Sequence, residues 1–308
     1  MTNIDIKIKE MKYTKYDELH LEFSGKDVNH VLINTLRRII IQHIPIYAFD
    51  NETISITKNT SVYNNDVLRL RLNFFPIKNI NKPETINLYT DIINNEVNTD
   101  KLEKINMYVS KKNNDIDILN VTTDDAEFSN KNNKISNIYK NPLLIVKLKQ
   151  NEEIKLSASC ILDIGKKNIK HSSVSICVFE KLNDNKYILK LESTGQIEEY
   201  DIVKRACKIL LIKLELIEKQ IDNFNINLNE NKGQLLFEDE DHTIGNFINR
   251  FLQNHTNIIF SGYKMDHLLI DNTTIDYTTN DVKDIKKILN ECIFLAKRHI
   301  NHIIKNIK

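Results

Sequence analysis

The run Asn34-Thr35-Leu36-Arg37-Arg38-Ile39-Ile40 is written a second time as Asn246-Phe247-Ile248-Asn249-Arg250-Phe251-Leu252, at a constant offset of 212 residues. The register extends without a gap to Leu32 and Ile244 on one side, and to Pro45-Ile46 and Asn257-Ile258 on the other. In the second copy Ile244, Phe247, Ile248, Phe251 and Leu252 recur at i, i+3, i+4, i+7 and i+8, which places them on one stripe of a helix. Leu32, Leu36, Ile39 and Ile40 do the same in the first copy, with Thr35 interrupting. Asp27 or Asn29 before the first helix, and Asp241 or Thr243 before the second, are residue types that cap a helix N-terminus. Each copy then runs into a β-branched, apolar segment, Ile44 to Phe49 and Ile258 to Phe260. Such a unit cannot bury its apolar face alone, but two packed face to face can. The repeat therefore predicts a chain that carries both halves of a dimer.

Length allows two domains, or one with a large insertion, because 308 residues suffice for substantial cores. The four cysteines, Cys160, Cys177, Cys207 and Cys292, lie far apart with no CxxC pair, which predicts buried free thiols in a reducing compartment. No apolar run approaches the roughly 20 residues that span a bilayer, so a soluble protein is expected. Charge is balanced, 43 Lys+Arg against 42 Asp+Glu, which argues against a chain that coats nucleic acid. The abundance of Asn, Ile and Lys resembles translation of an AT-rich genome.

Alternating apolar and polar residues predict strands at Ile4 to Ile8 and Leu19 to Phe23, ahead of the first repeat helix. From about Ala48 to Leu148 short alternating runs (Ile54 to Thr57, Val67 to Phe75, Ile86 to Tyr89, Leu143 to Leu148) are separated by Asn, Asp and Lys clusters, and read as a β-rich inserted domain with long loops. Strand patterning resumes at Ile154 to Ile161, Val174 to Phe179 and Tyr187 to Leu191. A long helix is predicted from about Asp201 to Ile221, with Ile202, Ala206, Ile209, Leu210, Leu214 and Ile217 on one face. A comparable final helix, from about Asp281 to Ile304, carries Val282, Ile285, Ile288, Leu289, Cys292, Ala296, Ile300 and Ile303. Residues 223–231 read as the linker between halves. The expected organisation is thus a discontinuous domain of 1–47 with 150–222, an insertion of 48–149, and a second dimerisation domain of 223–308.

The acidic run Glu238-Asp239-Glu240-Asp241-His242 could be read as a metal cluster with His242 as ligand or base. Acidic residues also gather at helix N-termini because they accept orphan N–H bonds and favour the positive end of the dipole. Four neighbouring helix-start positions point in divergent directions, so the capping reading is preferred, with Gly245 admitting a close backbone approach.

Asp239 to Arg250, followed by Phe260-Ser261-Gly262-Tyr263-Lys264 and His267, resembles the eleventh subunit of eukaryotic RNA polymerase II and its archaeal relatives. The first half resembles the partner of that subunit, the third, itself related to the bacterial alpha subunit. That resemblance rests on Asn34 to Ile39, Ile44-Pro45, Asn59 to Val62, Asp66, Leu68, Arg71-Leu72 and Pro76-Ile77. Gly165-Lys166, Lys170-His171-Ser172, Glu192-Ser193 and Gly195 complete it. It implies an α+β fold of two RNA polymerase alpha-like dimerisation modules packed as an intramolecular heterodimer, with a β-rich domain inserted in the first half. A short tether would raise the effective concentration of one half for the other. Where the cellular third subunit often carries a zinc-binding cysteine cluster, this chain has no cysteine before Cys160, so neither metal nor other cofactor is expected. Leu70-Arg71-Leu72-Asn73 stands in place of the family's His-Arg-Leu-Gly, and Leu268 in place of a proline.

The resemblance further implies a non-catalytic assembly subunit of a multisubunit DNA-directed RNA polymerase, of the kind found in large cytoplasmic DNA viruses. Its partners would be the two largest subunits, a small zinc protein like the tenth subunit, and other polymerase subunits, with DNA met only through the complex. The implied location is the host cytoplasm at the viral factory, and the virion, or the nucleus for a cellular chain. Leu32, Leu36, Ile39, Ile40, Ile244, Phe247, Ile248, Phe251 and Leu252 would line the dimer seam. Arg37 and Arg38 point about 100° apart on their helix, so one can lie along the seam while its neighbour docks on a large subunit. Lys166 and Lys170 are further candidate partner contacts, and His171 is read as structural. Two other classes remain open at this level: a metal-dependent hydrolase built on Glu238, Asp239, Asp241 and His242, and a stand-alone nucleic-acid-binding module. The second is disfavoured because aromatic and basic residues do not interleave.

Overall fold

The computed structural model describes residues 4–13, 18–78, 80–96, 102–131, 133–222, 231–265, 267, 270–280 and 285–307. Along the chain these form β1 (Lys7–Tyr13), β2 (Glu18–Ser24), α1 (His30–Gln42), β3 (Ile46–Phe49), β4 (Ser55–Asn59), α2 (Asn65–Asn73) and α3 (Tyr89–Ile93). Then come β5 (Ile105–Lys112), β6 (Leu119–Thr122), β7 (Ala126–Asn130), β8 (Asn133–Ile135), β9 (Leu144–Leu148) and β10 (Glu153–Asp163). The remainder is β11 (Val174–Asn183), β12 (Lys186–Ser193), α4 (Glu199–Asp222), β13 (Lys232–Phe237), α5 (His242–Gln253), β14 (Ile258–Lys264), β15 (Thr273–Thr279) and α6 (Ile285–Asn306). The fold is α+β. The predicted linker lies outside the described residues except for Asn231, as do Val282 and the expected start of the last helix at Asp281.

Two compact units divide the chain. The first comprises Met1–Ile41, Val174–Glu192 and Glu199–Lys308, and the second Gln42–Ser173 with Ser193–Glu198.

In the first unit both halves of the repeat follow one plan. The sheet order β2-β12-β11, with β1 added at its edge, matches β13-β15-β14 in the second half. Each half therefore runs strand, repeat helix, two strands and closing helix, and the second unit enters the first half between α1 and β11. The closing helices form because their apolar residues recur at helical spacing: Ile202, Ala206, Ile209, Leu210, Leu214 and Ile217 of α4 are all fully buried. On α6 the stripe Ile285, Ile288, Leu289, Cys292, Ala296, Ile300 and Ile303 is likewise buried. α4 packs on α6, and α6 also packs on α5.

The second unit is a mixed structure built on the antiparallel order β3-β10-β5-β7-β8, with β4 also pairing β10 and a separate β6-β9 pair. Three expectations need correction here. Val67 to Phe75 is not a strand: Asn64 caps the helix α2 by accepting from Val67 N at 2.8 Å, Asp66 lies in the first turn, and Leu68 and Leu72 are buried one turn apart. Leu68, Leu70 and Leu72 alternate with a period of two, but Leu68 and Leu72 also lie four apart on one helical face, with Leu70 exposed on the other side, and the cap decides between the two readings. Ile86 to Tyr89 is helical too, at the end of a 3-10 turn (Pro83–Leu88) that runs into α3. Finally, β3 and β14 follow the two repeat helices in register yet serve different sheets. β3 pairs with β10 in the second unit, while β14 pairs with β15 in the first. The same pairing of β10 with β3, β4 and β5 draws 42–47 and 150–173 into the second unit, beyond the expected limits of the insertion.

Candidate dimerisation seam

Between the halves of the first unit the contact is apolar at the closing helices and polar along one edge. Among the predicted seam residues Leu32, Leu36, Ile39, Ile40, Ile244, Phe247, Ile248 and Leu252 are buried. Phe251 is half-buried, packed edge-on against Phe247 with ring centroids 5.3 Å apart, and its ring is tilted against that of His299 at 5.4 Å. The broad helix-to-helix contact between halves is supplied by α4 and α6 rather than by the repeat helices themselves.

An ion pair joins the repeat helices. Arg38 Nη2 donates to Asp241 Oδ2 at 2.9 Å, while the other carboxylate oxygen of Asp241 accepts from Thr243 N at 2.8 Å as the N-cap of α5. One carboxylate thus caps a helix of its own half and receives a guanidinium from the other. Arg37 projects differently. Its Nε donates to Asn34 Oδ1 on the same helix at 3.1 Å, and the side chain is half-buried beside β11. Burial pushes the Cys177 thiol of that strand up to about 12, with the Arg37 guanidinium acting in the opposite sense.

The acidic run before α5 divides among separate partners. Glu238 exchanges backbone bonds with the Gln220 amide, 3.1 Å from its oxygen and 3.3 Å from its nitrogen. Asp239 adopts a left-handed conformation, φ 59°, which Asp tolerates in turns, and its N–H donates to Asn272 Oδ1. Glu240 accepts from Lys213 Nζ on α4 at 2.8 and 2.7 Å, with both side chains buried. His242 is exposed and lies edge-on to Tyr263. The hydrolase reading needs Glu238, Asp239, Asp241 and His242 to converge, but Asp241 is taken up by Arg38 and the α5 cap, His242 lies against Tyr263, and among the described residues no three such side chains gather where they could hold a metal. Gly245 also departs from expectation: its close neighbour is the Thr273 side chain rather than a backbone.

Three more cross-half contacts were not foreseen. Lys213 with Glu240 is the first, and its signal was a lysine inside the apolar stripe of α4, between Leu210 and Ile217. Lys297 of α6 donates to Glu218 of α4 at 2.6 Å, and His302 Nε2 meets Ile6 O at 3.0 Å. These partners are too distant in sequence for a local pattern to pair them.

The remaining candidates fall in the second unit. Lys166 has an exposed side chain, and its backbone N–H donates to Gln42 O at 2.7 Å. Lys170 differs from expectation: it is buried and forms an ion pair with Asp50, which commits its charge to the interior. Burial raises the Asp50 pKa, but hydrogen bonds from Lys170 and from Glu52 N outweigh it and hold the carboxyl below its usual range. His171 is buried, with Nδ1 2.8 Å from Ile46 O, in keeping with a structural role. No helix among the described residues is long and apolar enough to cross a membrane.

Similarity to known proteins follows the same two halves. Residues 22–214 and 232–306 each match the RNA polymerase Rpb3/Rpb11 dimerisation domain. A putative DNA directed RNA polymerase subunit, R470, of Acanthamoeba polyphaga mimivirus is 29% identical across 94% of this chain and 90% of its own length. The DNA-directed RNA polymerase subunit Rpo3 of Methanocaldococcus jannaschii is 28% identical over 70% of this chain and 97% of its own. Subunit Rpo11 of Sulfurisphaera tokodaii is 30% identical over 26% of this chain and 85% of its own. With a family model spanning residues 22–214 and a second match covering the other half, this chain belongs to the RNA polymerase Rpb3/Rpb11 dimerisation-domain family.

Proposed function

We propose that this chain is the alpha-dimer-like platform on which the two largest, catalytic subunits of a DNA-directed RNA polymerase assemble, and that it makes no RNA itself. As a member of this family it is an assembly subunit of a multisubunit, viral-type polymerase. The observation that carries the reading is the pair of matching strand-helix-strand-strand-helix halves joined in one polypeptide, whose archaeal relatives are two separate subunits. The first half takes the place of the third subunit and residues 232–306 that of the eleventh.

Arg38 belongs to the seam, so Arg37 is the arginine of this pair that reaches a large subunit, with Lys166 as a second contact from the insertion. Arg37 offers a planar donor fork suited to carboxylates and backbone carbonyls. A small zinc protein like the tenth subunit completes the platform. The complex works in the host cytoplasm and enters the virion.

Affinity purification of the tagged chain from expressing or infected cells tests the reading. The two largest polymerase subunits should co-purify, and Arg37→Glu should reduce their recovery while leaving the chain folded. Recovery of the wild-type chain without polymerase subunits would overturn the proposal.

A further inference from the structure

The offset of 212 residues that matches Arg38 to Arg250 also matches Asn29 to Asp241. On one side of the seam the arginine meets its carboxylate, Arg38 to Asp241. At the equivalent place on the other side Asn29 stands where the carboxylate would be, and its amide oxygen already accepts from Leu32 N at 3.0 Å. Among the described residues Arg250 makes no hydrogen bond or ion pair, and its Nε is buried without a partner. A cavity of about 350 Å³ occupies the missing position, lined by Lys26, Asn29, Phe247, Arg250, Phe251 and His299 among others.

Of the carboxylates around this space, Asp184 is paired with Lys181 at 2.8 Å, while among the described residues the Asp27 carboxylate accepts only from the backbone N–H of Asp5 at 2.9 Å and keeps its charge, against which Lys26, Lys181 and Arg250 leave the lining net positive. Lys26 lines the cavity with no carboxylate within ion-pair distance among the described residues. His299 is held toward its neutral form by burial, against the nearby Asp27. An arginine with a buried, unpaired N–H carries a desolvation cost that an acceptor would remove. Its fork matches the two oxygens of an oxyanion, and the Phe247 and Phe251 rings limit screening by water.

We propose that this cavity binds a small oxyanion, phosphate or carboxylate, which supplies to Arg250 the counter-charge that Asp241 supplies to Arg38. The site goes beyond the assembly role and does not depend on it.

Thermal unfolding of the full chain, titrated with sodium phosphate or sodium acetate at fixed ionic strength, tests this. One of the two anions should raise Tm saturably, by about 2 °C at a tenfold excess over its dissociation constant, and the responsive anion identifies the source. Arg250→Gln should abolish the shift. Asn29→Asp should build the missing carboxylate into the chain, raising Tm in anion-free buffer and removing the response. If Arg250→Gln fails to fold, the Asn29→Asp result still decides. No saturable shift with either anion, or a shift that persists in either variant, would overturn the proposal.

Discussion

Lys213 Nζ stands within hydrogen-bonding distance of both carboxylate oxygens of Glu240, and this bidentate contact ties α4 of the first half to the turn that starts α5 of the second. Both side chains are nearly sealed from solvent, at 5% and 7% exposure. Removing one partner leaves the other charge buried, which costs about 3–5 kcal/mol. Lys213→Met should therefore lower stability by that order in urea titrations. The double variant Lys213→Met/Glu240→Gln should recover a large part of the loss, and equal losses in both would contradict a coupled pair.

Gly245→Ala should destabilise the second half. A β-carbon at this position would run into the methyl group of Thr273, which is fully buried and whose hydroxyl donates to Glu240 O at 2.8 Å. Neither neighbour can retreat without disturbing the turn that carries Glu240, so a cost of about 1–3 kcal/mol is expected. Adding Thr273→Ser, which removes the obstructing methyl, should restore part of it. Chemical denaturation of the wild type and the two variants checks this.

Acidification should loosen the second unit through His171. Its Nδ1 faces the Ile46 carbonyl, an acceptor only, so the proton resides there and the buried Nε2 has no partner. Desolvation holds the pKa below the ordinary 6.5, despite the carbonyl bond that favours the charged form. The unfolded chain therefore binds the extra proton first, and stability is full above about pH 6.5 and falls as pH drops below it, by up to about 1.4 kcal/mol per pH unit. Urea midpoints at pH 7.5, 6.5 and 5.5 should fall in the wild type, and His171→Asn should make the dependence over that interval shallower, leaving the part due to His299, whose pKa burial also lowers.

All four cysteines are buried and free. Burial raises Cys160 to about 11, against a bond from Ile105 N, and takes Cys207 and Cys292 to about 12, as it does Cys177. With so little thiolate, none should react with a disulfide reagent at pH 8 in the native chain, and all should react in denaturant. Rapid labelling of any cysteine in the native chain would contradict the packing described.

The repeat helices and the closing helices were legible because each has a one-sided apolar stripe, and Asp241 at the start of α5 has the cap its position announced. α2 was misread because Leu68, Leu70 and Leu72 alternate as in a strand, while Leu68 and Leu72 alone also fit a helical face, and the bond from Val67 N to Asn64 marks the helix start. The partners of β10 were not legible at all, since the pairing of β10 with β3 joins segments far apart in the chain. The seam's polar edge was half visible. Arg38 and Asp241 each stood out, but nothing local links residues 203 positions apart. Lys170 was mistaken for a surface contact because a lysine carries no sequence mark of a distant, partly buried carboxylate such as Asp50.

The polar edge of the seam also implies an order of folding. Lys213 and Glu240 are separated by 27 residues, whereas Arg38 and Asp241 are separated by 203. Closing the longer loop costs about 2 kcal/mol more in chain entropy, and contacts between distant segments form later. The helix α4 and the turn before α5 can clasp as soon as the second half emerges. The Arg38–Asp241 pair must wait until α1 has been brought back across the whole insertion, as must His302 with Ile6, 296 positions apart, so these late bonds report on the completeness of both halves.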